Sequence, residues 1–90
     1  MIDLYLRYAG SAIPITGILD EHFKTNIKTI RALLSELDVK YGGFNEMFID
    51  RQTGEMKFSV MIYYSGAGQA PIPVIDLDQP VENNSIITFW

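Results

Sequence analysis

The sequence contains no cysteine and a single histidine. That removes disulfides, thiolate nucleophiles, cysteine-ligated zinc, iron–sulfur clusters and any multi-histidine metal site, so stability must come from packing. Basic residues are scarce too: seven Lys and Arg stand against eleven Asp and Glu, a formal net charge of −4. The mean field repels phosphate backbones and no basic cluster offsets it, so nucleic acid is not an expected partner. No run approaches the ~20 apolar residues that cross a bilayer. Asp3 and Arg7 stand where a secretory signal would carry its apolar core, so no membrane partner and a cytoplasmic location are expected. Asn83-Asn84-Ser85 fits the glycosylation pattern, but nothing else points to secretion.

What is present is 90 residues with 48% hydrophobic content, enough for one domain over residues 1–90 built on one core. A folded chain this short buries only about 60 to 65% of the surface its unfolded form exposes. Most apolar side chains are then needed inside, which disfavours a deep catalytic cleft. No cofactor and no metal are expected.

Residues 1–8 alternate, with Ile2, Leu4, Leu6 and Tyr8 on one side and Asp3, Tyr5 and Arg7 on the other, the period of a half-buried strand. Ala9-Gly10-Ser11 interrupts it, and a weaker strand follows over residues 18–24. From Ile27 the period changes: Ile27, Ile30, Leu33, Leu34, Leu37 and Tyr41 share one face of a helix. Asn26 or Thr29 caps it, Glu36 is placed to pair with Lys40, and Gly42-Gly43 stops it through a left-handed cap. Its other face, with Lys28, Arg31, Ser35 and Glu36, reads as a solvated surface.

Phe44, Met47, Phe48 and Ile49 predict one helical turn or a core-filling loop, followed by turn chemistry at residues 50–54. Residues 57–64 alternate again, with Phe58, Val60, Ile62 and Tyr64 on one side and Ser59, Met61 and Tyr63 on the other. Pro71 and Pro73 cannot donate ladder hydrogen bonds, so residues 72–77 yield at most a short edge strand. Residues 86–90 form a last strand. One amphipathic helix for four or five strands implies an α+β fold in which the helix covers a single sheet face.

Three small constellations carry little chemistry. His22 beside Asp20 and Glu21 has the make-up of a proton shuttle but is ordinary for a surface histidine. Asp76 and Asp78 flank Leu77 and read first as a solvated turn, with weak cation binding the sharper alternative. Ser65-Gly66-Ala67-Gly68 lacks the Lys and the helix start that a phosphate-cradling loop needs.

Taken in order, the opening strand, the Thr29–Leu37 helix start, Val60-Met61-Ile62-Tyr63-Tyr64-Ser65-Gly66 and the Leu77–Phe89 ending resemble the ubiquitin-like β-grasp sulfur-carrier family of molybdopterin-synthase small subunits and thiamine sulfur carriers (MoaD/ThiS). The resemblance implies a β-grasp: a mixed four- to five-stranded sheet with one main helix, the first and last strands parallel and the third strand beside the last. It also implies a C-terminal Gly-Gly tail that an activating enzyme adenylates. Here the sequence ends Phe89-Trp90, so the chain as written is not expected to support carrier chemistry. Gly42-Gly43 is an internal helix stop and no substitute.

Carried over residue by residue, the resemblance places Ile2, Leu4, Leu6, Val60, Ile62, Ile87 and Phe89 against the helix. The reverse face then gathers Tyr5, Arg7, Met61, Tyr63, Ile86, Thr88 and Trp90, a set rich in the residue types of protein interfaces. The expected function is docking of this face onto a larger partner, an activating enzyme or synthase subunit, with self-association left open. The alternative is a sulfur carrier or protein modifier whose tail is absent from this chain. An enzyme is not expected, since no nucleophile, base and pocket come together in the sequence.

Overall fold

The computed structural model describes residues 1–90. Strand β1 (Ile2–Tyr8) leads through a 3-10 turn (Gly10–Ala12) and a single helical turn, α1 (Ile13–Thr16), into β2 (Asp20–Thr25). Helix α2 (Ile30–Tyr41) and the short α3 (Phe44–Phe48) follow, then β3 (Ile62–Ser65), β4 (Ile72–Pro73) and β5 (Ser85–Phe89). The strands form one sheet in the order β2-β1-β5-β3-β4. β1 and β5 run parallel at its centre and the other neighbours are antiparallel.

Burial follows the alternation. Leu4, Leu6, Ile62, Ile87 and Phe89 are sealed on the inner face against Ile30, Leu33, Leu34 and Leu37 of α2. Ile2 is half-buried at the margin of this core. Fully burying each such aliphatic side chain contributes roughly 1.5 to 3 kcal/mol, which lets one helix hold the sheet. The core extends beyond α2, because Phe44 and Phe48 of α3 are also sealed.

Of the two candidate caps, Thr29 starts α2: its Oγ1 accepts the Ala32 N–H at 3.1 Å. Thr29→Ala should cost about 1 kcal/mol, read as a lower thermal midpoint with unchanged helix content at 20 °C. Ile27 lies just before the helix and packs on the core. The stop is not a simple left-handed cap, since Gly42 takes φ 79°, ψ 149°, backbone open to glycine alone. Gly43 adopts the left-handed conformation and starts α3.

Four local expectations are corrected. Glu36 does not pair with Lys40; it accepts the Thr25 hydroxyl at 2.8 Å, while Lys40 reaches Glu21 at 2.7 Å. Arg31 is not a bare surface residue, because it donates to Asp78 at 2.8 Å and to the Gly54 carbonyl at 2.7 Å. That bond spends Asp78 on a guanidinium, which removes the pair with Asp76 as a cation site. The strand expected over residues 57–64 joins the sheet only from Met61 and Ile62 onward, and Phe58 points into solvent although Val60 is buried.

Just past β4, Val74 N–H donates inward to the Ile62 carbonyl of β3 at 2.7 Å. Alternation then puts Pro71 and Pro73 where N–H groups would point away from the sheet, so this edge has no donors there.

Candidate functional site

No helix or loop lies over most of the outer sheet face, and strand register decides what it displays. Tyr5 and Arg7 of β1 stand beside Ile86 and Thr88 of β5, and Thr88 stands opposite Tyr63 of β3. The next step of the same ladder joins Trp90 N–H to the Met61 carbonyl at 2.9 Å. All seven residues named from the sequence therefore share one continuous surface. Tyr5, Met61, Ile86 and Trp90 are 44, 40, 40 and 50% exposed. Arg7 is exposed, while Tyr63 and Thr88 are half-buried among them. Only the Ser65 corner is covered, by the turn at residues 66–69, where the Ser65 hydroxyl donates to the Gln69 carbonyl.

The face has two halves. Along β1 and β2 it is charged and ordered: His22 stacks on Tyr5 with ring centroids 5.0 Å apart, and its Nε2 lies 2.8 Å from Asp3 Oδ1. The partner of His22 is thus across the strand pair rather than next to it in sequence. Along β3 and β5 the face is apolar. The Trp90 indole leans over Gly10, where an added Cβ would meet the ring at 3.5 Å. A shallow hollow of about 390 Å³ opens between Gly10, Met61, Tyr63 and Trp90, and another of about 460 Å³ between Tyr5, Arg7, Asp20, His22 and Ile86. A flat sheet with shallow hollows and large amphipathic side chains suits a protein surface better than a small molecule.

The strongest electrostatic cluster lies on the opposite side and is structural. Glu21 Oε1 accepts the hydroxyls of Tyr8 and Tyr41, each at 2.6 Å, and Oε2 accepts from Lys40 at 2.7 Å. Burial alone would raise the Glu21 carboxyl, but these donors outweigh it and hold it below the ordinary carboxylate value. Burial, reinforced by the bond to that carboxylate, pushes the Tyr8 phenol far above the usual tyrosine range. The cluster clamps β1, β2 and the end of α2.

The largest hollow, about 570 Å³, is elsewhere again, between Met56, Phe58, Val60, Val74 and Ile75 with Asp50 and Glu55 at its rim. Sequence alternation hid it by turning Phe58 inward. The signal available was Phe58 standing beyond the reach of any strand long enough to pair with it.

No protein-family model matches the chain, and no curated protein matches it. Solved structures do. The Haloferax volcanii HVO 2177 protein superimposes with a TM-score of 0.75 at 16% identity, over 98% of this chain and 80% of that one. Small archaeal modifier protein 1 of Haloferax volcanii gives 0.72 at 9% identity, over 98% and 92%. This is the ubiquitin-like β-grasp fold. A putative molybdopterin converting factor subunit 1 from Pyrococcus furiosus shares it, with a TM-score of 0.70 at 11% identity over 99% and 95% of the two chains. In this β-grasp the face carrying Tyr5, Tyr63 and Trp90 is the side of the sheet opposite α2.

Proposed function

We propose that the chain is a ubiquitin-fold docking module that works by laying the outer face of its sheet on a larger protein, an activating enzyme or synthase subunit, in the cytoplasm. The observation that carries this reading is the continuous set Tyr5, Met61, Tyr63, Ile86 and Trp90, which remains accessible because α2 and α3 cover only the other side. Thr88 supplies a polar contact at the centre, and the Arg7 beside it forms no ion pair within the chain, so the partner must bring a carboxylate to meet that guanidinium.

Trp90 is the only tryptophan, and its emission therefore reports directly on cover at the patch. Titration with an adenylating enzyme of the molybdopterin or thiamine type should move that emission to shorter wavelength. Tyr63→Ala should weaken binding at least about fivefold while changing stability by less than about 1 kcal/mol. Val39→Ser, on the exposed side of α2, should leave binding unchanged. Unaltered affinity in the Tyr63 variant together with a lower thermal midpoint would assign these residues to stability alone.

A second reading, sulfur carrier or protein modifier, is favoured by the names of two structural neighbours, a modifier protein and a molybdopterin converting factor subunit. It requires a flexible glycine-ended segment beyond Trp90, because a carboxylate at the end of β5 cannot reach into a catalytic channel. Mass spectrometry of the native protein purified from its host, after incubation with ATP and the same enzyme, separates the two: an adenylate or thiocarboxylate product supports the carrier, and its absence alongside tight binding supports the docking module.

A further inference from the structure

The β2 edge of the sheet carries an inference independent of the docking face. Tyr8 N–H donates to the Leu19 carbonyl at 2.8 Å, and the β1–β2 register continues from that pair. In an antiparallel ladder hydrogen-bonded pairs alternate, so Leu19, Glu21, Phe23 and Thr25 turn their backbone groups toward β1. Asp20, His22 and Lys24 turn their N–H and C=O groups away from the sheet. The free segment has defined ends: Thr16 Oγ1 binds the backbone of Ile18 on one side, and Thr25 Oγ1 accepts the Ile27 N–H on the other. Unlike the β4 margin, it contains no proline.

We propose that β2 is a self-complementary edge through which two copies of this chain join their sheets about a two-fold axis at His22. In that antiparallel register Asp20 of each copy lies opposite Lys24 of the other and His22 lies opposite His22. Each outward N–H then meets an outward C=O. Two opposite-charge pairs form across the axis, and such directly opposed pairs favour pairing whereas like charges oppose it. Asp20 forms no ion pair within the chain, and Lys24 reaches only Asp3, at 4.0 Å, an oxygen that His22 already holds at 2.8 Å. On the inner side the register sets Leu19, 65% exposed, opposite Thr25 and covers it. Charged edge strands ordinarily discourage pairing. Here the signs are arranged so that this one register neutralises them, which offsets the repulsion between two chains of net charge −4.

Sedimentation equilibrium across protein concentration, with amide exchange at Asp20, His22 and Lys24, tests the proposal on the intact chain. The expected result is a concentration-dependent dimer whose formation slows exchange at those three amides. Asp20→Lys and Lys24→Asp should each weaken dimerisation about tenfold or more, because both pairs become like-charged. The combined Asp20→Lys, Lys24→Asp variant should restore it. His22→Pro removes an outward N–H that the folded monomer does not use and should abolish the dimer. A chain that stays monomeric at millimolar concentration overturns the proposal, as does a dimer indifferent to both charge swaps. Neither outcome bears on the docking face, which lies on the broad surface rather than the margin.

Discussion

Phe44→Ala is expected to lower stability by about 3 to 5 kcal/mol, the range for truncating a buried aromatic. Phe44 is fully buried and occupies the centre of a ring cluster. It meets Phe89 edge-on at 5.6 Å between centroids, stacks on Phe48 at 5.8 Å and lies 6.1 Å from both Tyr8 and Tyr41. Truncation removes transfer energy, leaves a cavity and cancels aromatic contacts worth about 0.5 to 1.5 kcal/mol per pair. Because α3 is one short turn fixed mainly by Phe44 and Phe48, the cavity cannot be refilled without moving the helix. Urea unfolding should show the loss as a lower midpoint at nearly constant slope. A change below about 1 kcal/mol would mean that α3 is not part of the cooperative core.

Glu21→Ala should follow at about 2 to 3 kcal/mol at pH 7, since it leaves the buried Tyr8 phenol and the half-buried Tyr41 phenol without their shared acceptor, while the more exposed Lys40 ammonium can turn to water. The Glu21 side chain is only 13% exposed, so solvent cannot replace the carboxylate fully. The effect depends on pH in one direction. The folded carboxyl sits below the ordinary value of 4.5, so its contribution is complete above that pH and fades as the pH falls through the depressed folded value. Wild type and variant should therefore differ most near neutrality and converge in acid. Thermal midpoints measured from pH 7 down to pH 2 check this, and a constant gap would exclude the carboxylate as its source.

Much of the fold could be read from periodicity because the decisive patterns are local. The spacing of Ile30, Leu33, Leu34 and Leu37 needs no partner to be recognised, and neither does the alternation of residues 2–8. The same alternation, extended to β5 and β3, puts Tyr5, Tyr63, Ile86 and Thr88 on one face of the sheet. Misreadings arose where distant residues outbid local ones. Lys40 could pair with Glu36 one turn away, yet Glu21 offers it an acceptor already ordered by two tyrosines, and Thr25 takes Glu36. Phe58 lies in a clean alternating run, yet an alternating run becomes a strand only beside another. β4 is two residues long, and the backbone before Met61 turns instead to Phe48, whose carbonyl accepts the Lys57 N–H at 3.0 Å. The use of Arg31 to hold the Gly54 loop and Asp78 together depends on chain paths that no spacing rule encodes.

Pro71 and Pro73 have a consequence for growth. A sheet that accepted strands at both margins would be a monomer unit for filaments, adding copies without limit. With donors absent at the β4 margin, a pair joined through β2 ends on proline at both extremities, and the two-fold operator closes on itself. Concentrated solutions should thus stop at twos and stay free of fibres.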